Sequence, residues 1–143
     1  MLLKSLVMLV FAFALTARSG SAGESGGIQG TWIPTAAELG GKPFPDEVRK
    51  TIKLVATDET YTVTVGDQID RGTVKLNPAA SPKELDITGT EGPNKGRTIH
   101  AIYEREGDTL RVCYDLTGQG RPTELKTQEG SQLFLVTYER EKP

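Results

Sequence analysis

The sequence predicts an all-β fold, an antiparallel up-and-down barrel of about eight strands with one short helical turn. From residue 28 onward apolar and polar residues alternate with a period near two, which is typical of half-buried strands. Gly, Pro, Asn and Asp interrupt this alternation at short intervals and mark turns between consecutive strands. A series of consecutive hairpins favours an up-and-down barrel over a sandwich, although both folds share these features.

The first elements are a long strand and a helical turn. Residues 28–39 form the first candidate strand, in which Pro34 predicts an edge position or a bulge because proline lacks the amide proton. Residues 40–43, Gly-Gly-Lys-Pro, make a turn. In residues 45–50 a proline and two acids precede two bases, which is the charge order of a single helical turn.

A hairpin and a bent strand follow. Residues 51–57 and 60–65 alternate apolar with polar side chains and are expected to pair with each other. Residues 68–76 form the next strand, and Gly72 within it predicts a bend of the kind that curves a barrel.

The second half of the chain contains loops and longer strands. Residues 77–82 and 89–96 are predicted loops, and between them Leu85 and Ile87 lie on a short strand whose polar residues face outward. Three more strands are predicted at residues 98–104, 109–115 and 132–140, the first two joined by a tight Glu-Gly-Asp hairpin turn.

Residues 1–22 are predicted to be a signal peptide, with a basic start, an apolar stretch and a final group of small residues. We therefore expect export to the periplasm or the extracellular space. An uncleaved membrane anchor is the alternative, and membrane contact is expected only through such an uncleaved segment. Residues 23–27 are a flexible spacer, and residues 28–143 form the single barrel domain.

Charge and cysteine content exclude several classes of protein. The 143 residues carry 17 basic and 19 acidic side chains, and no basic stripe suited to phosphates is present, so nucleic acid is not an expected partner. The single cysteine, Cys113, cannot form an internal disulfide. An exported chain of this size must then be stabilised by its core.

A set of short motifs follows one another along the chain: Gly30-Thr31-Trp32, Gly41-Lys42-Pro43, Tyr61-Thr62-Val63, Glu91-Gly92-Pro93-Asn94-Lys95-Gly96, Ile102-Tyr103-Glu104, Gly107-Asp108-Thr109-Leu110 and Arg121-Pro122-Thr123-Glu124. In this order they resemble a family of secreted planctomycete domains whose function is uncharacterised. The resemblance extends from about residue 28 to residue 140. The family looks like a lipocalin-like barrel, and its Gly-x-Trp motif near the first strand is part of that likeness.

The resemblance implies a barrel base formed by Gly30, Trp32 and Arg140. In lipocalins the matching tryptophan stacks under an arginine from the region of the final strand, and Arg140 stands in a suitable place here. We expect a cation–π contact in which the guanidinium lies within about 6 Å of the indole. Lipocalins carry small apolar ligands, so the resemblance also implies a ligand site inside the barrel, although fold alone does not transfer a ligand.

The barrel interior is expected to be lined by bulky side chains drawn from Ile52, Leu54, Tyr61, Val63, Leu85, Ile87, Tyr103, Leu110, Val112, Tyr114, Leu133 and Leu135. These side chains either enclose a cavity or fill the barrel, and their bulk favours filling. Tyr61, Tyr103 and Tyr114 are the candidate ligand contacts. Arg121 is a fourth, since it lies in a long loop, residues 116–131, that we expect over the mouth. Arg121 could equally pair with Glu124 or cap a carbonyl.

The sequence offers no catalytic set. His100 is the only histidine and has no recognisable metal-binding or triad partners in the sequence, so a structural role is favoured. Cys113 shares its strand face with Arg111 and Asp115, which act in opposite directions on a thiol pKa, and a packed thiol is favoured. The acidic residues lie mostly at turns, where solvation explains them. We expect no enzyme activity, no cofactor and no metal.

The sequence therefore predicts an exported lipocalin-like protein that binds a small apolar or amphipathic ligand in its barrel. The alternative is a filled, non-binding barrel that acts as a protein–protein interaction module of the cell envelope. The oligomeric state and the roles of His100 and Cys113 are left open by the sequence.

Overall fold

The computed structural model of the protein describes residues 27–142, and within them the alternating pattern produces nine strands and one helical turn. The strands are β1 (Gly30–Leu39), β2 (Lys42–Pro43), β3 (Ile52–Ala56), β4 (Thr60–Val65), β5 (Gln68–Asn77), β6 (Lys83–Glu91), β7 (Thr98–Glu106), β8 (Thr109–Asp115) and β9 (Leu133–Arg140), and the helical turn is α1 (Asp46–Arg49). The predicted signal peptide and most of the predicted spacer lie outside the described residues.

All strand pairs are antiparallel, and the sheet closes on itself. Each of β3 to β8 pairs with the next strand along the chain, while β1 pairs with β3 on one side and with β9 on the other. Eight strands therefore form a closed barrel, as predicted. The two-residue strand β2 pairs only with the last residues of β1.

The two predicted irregularities of the strands are present. The register of β1 against β9 shifts between Pro34 and Ala36, which is the bulge that the proline predicts. The register of β5 against β6 shifts between Arg71 and Gly72, where the sequence predicts a bend.

The helical turn and the strand bounds agree closely with the sequence, with one larger difference. Helix α1 is a single turn, in which Arg49 forms an ion pair with Asp46 at 3.3 Å. Strand β6 continues to Glu91, through the start of the predicted loop at residues 89–96. It continues because Gly89 and Glu91 still pair with Gly72 and Arg71 of β5.

The core occupies the barrel interior, and its largest fully buried side chain is that of Trp32. On β9 the prediction of inward-facing Leu133 and Leu135 is wrong, since Phe134, Val136 and Tyr138 belong to the interior instead. Both faces of β9 carry apolar residues at its start, because a long loop covers the outer face. Alternation alone therefore could not show which face of β9 points into the barrel.

Among residues 27–142, no helix has both the length and the apolar character needed to cross a membrane.

Candidate functional site

The end of the barrel near Trp32 is closed by packed side chains. Trp32 has no exposed surface, and its indole Nε1 donates a hydrogen bond to the carbonyl oxygen of Ile28 at 2.9 Å. The Cζ atom of Arg140 lies 4.4 Å from the centroid of the Trp32 ring, so the predicted cation–π contact is present.

Gly30 makes room for this arginine. A Cβ atom at Gly30 would lie 2.6 Å from Nη1 of Arg140, and the residue has a φ of 138°, which side chains rarely adopt. Arg140 also donates from Nε to Oδ1 of Asp108 at 3.1 Å and from Nη1 to the carbonyl oxygen of Gln29. The guanidinium thus joins the start of β1, the β7–β8 turn and the end of β9.

The opposite half of the barrel contains a cavity of about 140 Å³ that is partly open to solvent. It lies at the end formed by the β4–β5 turn, the β6–β7 loop and the end of β8. Its walls are mostly apolar and comprise Ile52, Leu54, Tyr61, Val63, Val65, Asp70, Ile87, Asn94, Ile99, Tyr114, Leu116, Phe134, Val136 and Tyr138. The expectation of a filled barrel is therefore correct only for the half that contains Trp32.

One wall of the cavity carries a buried carboxylate. Asp70 is 7 % exposed, and its Oδ2 accepts hydrogen bonds from the Tyr61 hydroxyl at 3.0 Å and from Asn94 Nδ2 at 2.9 Å. Its Oδ1 accepts a third from the backbone amide of Asn94 at 3.1 Å. Burial, together with the hydrogen bond to Asp70 and the charge of that residue, raises the pKa of Tyr61.

The opposite wall carries two tyrosine hydroxyls. The order of strands places β9 across the barrel from β5, and there the hydroxyls of Tyr114 and Tyr138 lie 2.9 Å apart in a hydrogen bond. Burial raises the pKa of Tyr114 to about 12 and also raises that of Tyr138. The ring of Phe134 stacks on that of Tyr114 with 6.0 Å between the ring centroids, and its centroid lies 5.2 Å from that of Phe44. Both tyrosines are therefore neutral hydrogen-bonding groups at physiological pH.

The four candidate ligand contacts are divided between three places. Tyr61 and Tyr114 line the cavity, as a ligand site requires. Tyr103 is absent from its walls and is buried in the core cluster that contains Trp32. Arg121 does not line the cavity either, so its loop does not present it to the interior.

Asp70 and Asn94 were not predicted as site residues from the sequence. A signal for Asp70 is present, because it lies two residues before Gly72 on the face of β5 that also carries Val74 and Leu76. An acid at an inward position of a strand is unusual and indicates a special environment. No comparable signal marks Asn94, since it lies in a loop and reaches Asp70 from the β6–β7 connection.

Arg121 instead fastens the loop of residues 116–132 to the outer wall. Its Nη2 lies 2.8 Å from Oδ1 of Asp86, and its Nη1 donates to the carbonyl oxygen of Ala101 at 2.9 Å. The predicted capping of a carbonyl is thus observed, while the ion pairs are formed with Asp86 and, at 3.8 Å, with Glu84 rather than with Glu124.

His100 lies beside the same carboxylate. Its Nδ1 is 2.9 Å from Oδ1 of Asp86, to which it donates in the tautomer with the proton on Nδ1, and the same nitrogen lies 3.3 Å from Nη2 of Arg121. Burial opposes ionisation of Asp86, but the hydrogen bonds from His100 and Arg121 outweigh it and hold the pKa of Asp86 below its ordinary value. Among residues 27–142 no hydroxyl or thiol is hydrogen-bonded to His100. The arrangement supplies an orienting group for the histidine but no nucleophile.

Cys113 is buried between the barrel wall and this loop. The side chain has no exposed surface, and its Sγ contacts the carbonyl oxygen of Lys126 at 3.7 Å. Burial raises the pKa of the Cys113 thiol to about 11. A neutral, covered thiol has little reactivity, in agreement with the packed role expected for it.

Comparison of the chain with protein-family models, curated proteins and solved structures gives no match. The fold and the geometry of the cavity are therefore the features from which a function can be inferred.

Proposed function

We propose that the protein is an exported, lipocalin-like binding protein that holds a small apolar or amphipathic molecule in the open half of its barrel. The observation that carries this proposal is the cavity of about 140 Å³ at the end opposite Trp32. Its walls are apolar except for the cluster around Asp70 and the tyrosine hydroxyl pair. Concave, mostly apolar sites with a few polar groups are the usual form of small-molecule sites.

The volume of the cavity limits the ligand. An engineered apolar cavity of about 150 Å³ in another protein stays dry and binds benzene. A cavity of about 140 Å³ is thus suited to one six-membered ring or a short branched chain. A larger ligand would have to extend through the open end, past Val65 and Leu116.

Export is supported by the signal-peptide pattern of residues 1–22. The resemblance to secreted planctomycete domains points in the same direction and remains a prediction. Both agree with a chain that binds its ligand outside the cytoplasm.

The proposal is tested by blocking the cavity without changing the rest of the barrel. Val63 lines the cavity, so Val63→Phe should fill part of it. The matched control is Val55→Phe, because Val55 lies on the neighbouring strand β3 and is 45 % exposed on the outer face. Wild-type protein and Val55→Phe should be stabilised by toluene in thermal unfolding and show methyl chemical-shift changes at the cavity, since a ligand that binds only the folded state raises its stability.

Val63→Phe should lose both responses. Equal responses in Val63→Phe and wild type would place toluene elsewhere and contradict the proposal. If toluene and the amphipathic probes described below all fail to bind wild-type protein, the proposal is also contradicted. Envelope interaction then becomes the better hypothesis, to be tested by crosslinking in periplasmic extract.

A further inference from the structure

We infer that the ligand is an amine, whose positive nitrogen pairs with Asp70 while its apolar part occupies the cavity. This inference rests on the proposed function and names the class of ligand for the same site. Three features support it: the hydrogen-bond donors around the carboxylate, the absence of a cationic partner within residues 27–142, and the position of Asp70 on the cavity wall.

The hydrogen bonds around Asp70 suit a negatively charged group. The Tyr61 hydroxyl, the Asn94 side-chain amide and the Asn94 backbone amide each donate to the carboxylate. An ionised carboxylate only accepts hydrogen bonds, and the two Asn94 groups can only donate, while the Tyr61 hydroxyl donates in this arrangement, so the three contacts suit this form. Each donor is neutral. The cluster therefore solvates the charge of Asp70 but does not cancel it.

A buried carboxylate normally has a cationic partner, and within residues 27–142 Asp70 has none. None of the ion pairs in this part of the chain includes Asp70, and the neighbouring Arg71 pairs with Glu91 at 3.1 Å instead. Burying a charge without an opposite charge is costly. A cationic group brought in by a ligand would remove this cost, which is a specific reason for a cation to bind here.

The carboxylate also has acceptor capacity left. Two of its hydrogen bonds are made to Oδ2 and one to Oδ1, whereas an ionised carboxylate offers about four acceptor positions. Because Asp70 lines the cavity, an ammonium group of a bound molecule can donate to it. The apolar body of that molecule would lie between Ile87, Phe134 and Val136, away from the polar cluster.

Asp70 also has a structural role, since its bonds to Asn94 hold the β6–β7 loop at the mouth. A structural role alone predicts that any small aromatic molecule binds equally well, whatever its charge. Selectivity between probes of the same shape therefore separates the two roles, whereas a loss of stability in an Asp70 variant does not.

The experiment measures the dissociation constants of benzylamine, benzyl alcohol and benzoate at neutral pH by calorimetry or NMR titration. These probes share the ring and differ in the charge of the substituent. We expect wild-type protein to bind benzylamine roughly tenfold more tightly than benzyl alcohol, and benzoate most weakly, as charge pairing in a partly buried site predicts. In Asp70→Asn the preference for the amine should disappear while benzyl alcohol still binds.

Glu91→Gln is the matched control, because it removes one negative charge from an exposed side chain near β5 and leaves the cavity unchanged. It should keep the wild-type preference. If Asp70→Asn does not fold, the second measurement is the NMR resonance of the Asn94 side-chain amide in wild-type protein, recorded with each probe. Benzylamine should shift that resonance and benzyl alcohol should not.

The outcomes separate this inference from the proposed function. Equal affinity of wild-type protein for the amine and the alcohol, or a preference for benzoate, overturns the inference while leaving a ligand-binding barrel. A preference for benzylamine that persists in Asp70→Asn also overturns it. If neither these probes nor toluene binds, both the inference and the proposed function are contradicted.

Discussion

Gly72 shows how one residue without a side chain allows the barrel to bend beside the cavity. A Cβ atom built at Gly72 would overlap the carbonyl oxygen of Thr88 on β6 and would lie 2.7 Å from Cε1 of Tyr61 on β4. The backbones of β5 and β6 approach closely at this point, where the register shifts. Glycine is required here by close contact rather than by an unusual φ angle.

We predict that Gly72→Ala destabilises the fold by about 3 kcal/mol or more, at the upper end of the range for overpacked sites, because rigid backbone atoms must move. Urea unfolding measures the change. Gly120→Ala is the control, since a Cβ there meets only the carboxylate of Asp115 at 3.1 Å, at the end of a side chain that can move. A Gly72→Ala protein as stable as Gly120→Ala would show that the two strands separate easily at this point.

The residues of the site were predictable to different degrees. The contact between Trp32 and Arg140 was anticipated because both positions match a known arrangement at the two ends of the chain. Tyr61 was predicted as an inward residue from strand periodicity, but its partner Asp70 was missed because an acid does not fit an apolar pattern. The pairing of Arg121 with Asp86 depends on how a long loop folds back, and local spacing carries no information on that.

At the scale of elements, the loop of residues 116–132 forms a cover on the outside of β7 and β8. Ile102 and Cys113 face outward from these strands and are nevertheless almost fully buried. Pro122 of the loop is also buried. The loop thus creates a small second apolar layer, which explains why strands that face the loop are apolar on both sides.

Arg121 holds this cover to the outer wall through Asp86 and Ala101, and replacing Arg121 should expose the Cys113 thiol. We predict that Arg121→Ala accelerates labelling of the Cys113 thiol in native protein by roughly tenfold, because hydrogen bonds to charged groups contribute about 1.5–3 kcal/mol and this half-buried ion pair lies at the lower end. Reaction with a chromogenic disulfide reagent measures the rate.

Lys126→Ala is the control for this prediction. Lys126 belongs to the same loop, is exposed and pairs only loosely with Glu124, at 3.8 Å. Its removal should leave the labelling rate of Cys113 close to that of wild type. Fast labelling of the wild-type thiol, or the same rate in Arg121→Ala and Lys126→Ala, would argue against a loop held by Arg121.

Most elements could be predicted from the sequence because their outer faces are polar. The hairpin of β3 and β4 alternates cleanly, and the bulge at Pro34 follows from its missing amide proton. The exception is β9, whose inward face was predicted wrongly, because Leu133 to Val136 are four consecutive apolar residues. One of its faces lines the barrel and the other meets the loop, and only the folded chain distinguishes them.

At the scale of the whole molecule, the barrel combines a packed half with a hollow half. The packed half contains the Trp32 indole and the largest share of the fully buried side chains, and it supplies the core stability that a chain without a disulfide requires. The hollow half carries the cavity and its polar groups. The cavity weakens packing only in the hollow half, so the packed half can still stabilise the domain.

The buried thiol and tyrosine hydroxyls predict a loss of stability in alkaline solution. Burial raises the pKa of Cys113 from 9.0 to about 11 and that of Tyr114 from 10.0 to about 12, and it also raises those of Tyr61, Tyr103 and Tyr138. Above pH 9 the unfolded chain therefore releases protons that the folded chain retains. Because the folded state then binds more protons, its stability falls as pH rises.

We predict that the free energy of unfolding decreases from about pH 9 and continues to fall beyond pH 11, with the thiol responsible for the earliest part. Urea unfolding under reducing conditions at pH 7.5, 9, 10, 11 and 11.5 measures the slope. In Cys113→Ala the decrease between pH 9 and 10 should be smaller than in wild type, whatever the stability of the variant at pH 7.5. Identical slopes in the two proteins would show that the thiol titrates alike in the folded and unfolded chains. A wild-type stability that stays constant to pH 11 would contradict the burial of the thiol and the tyrosine hydroxyls.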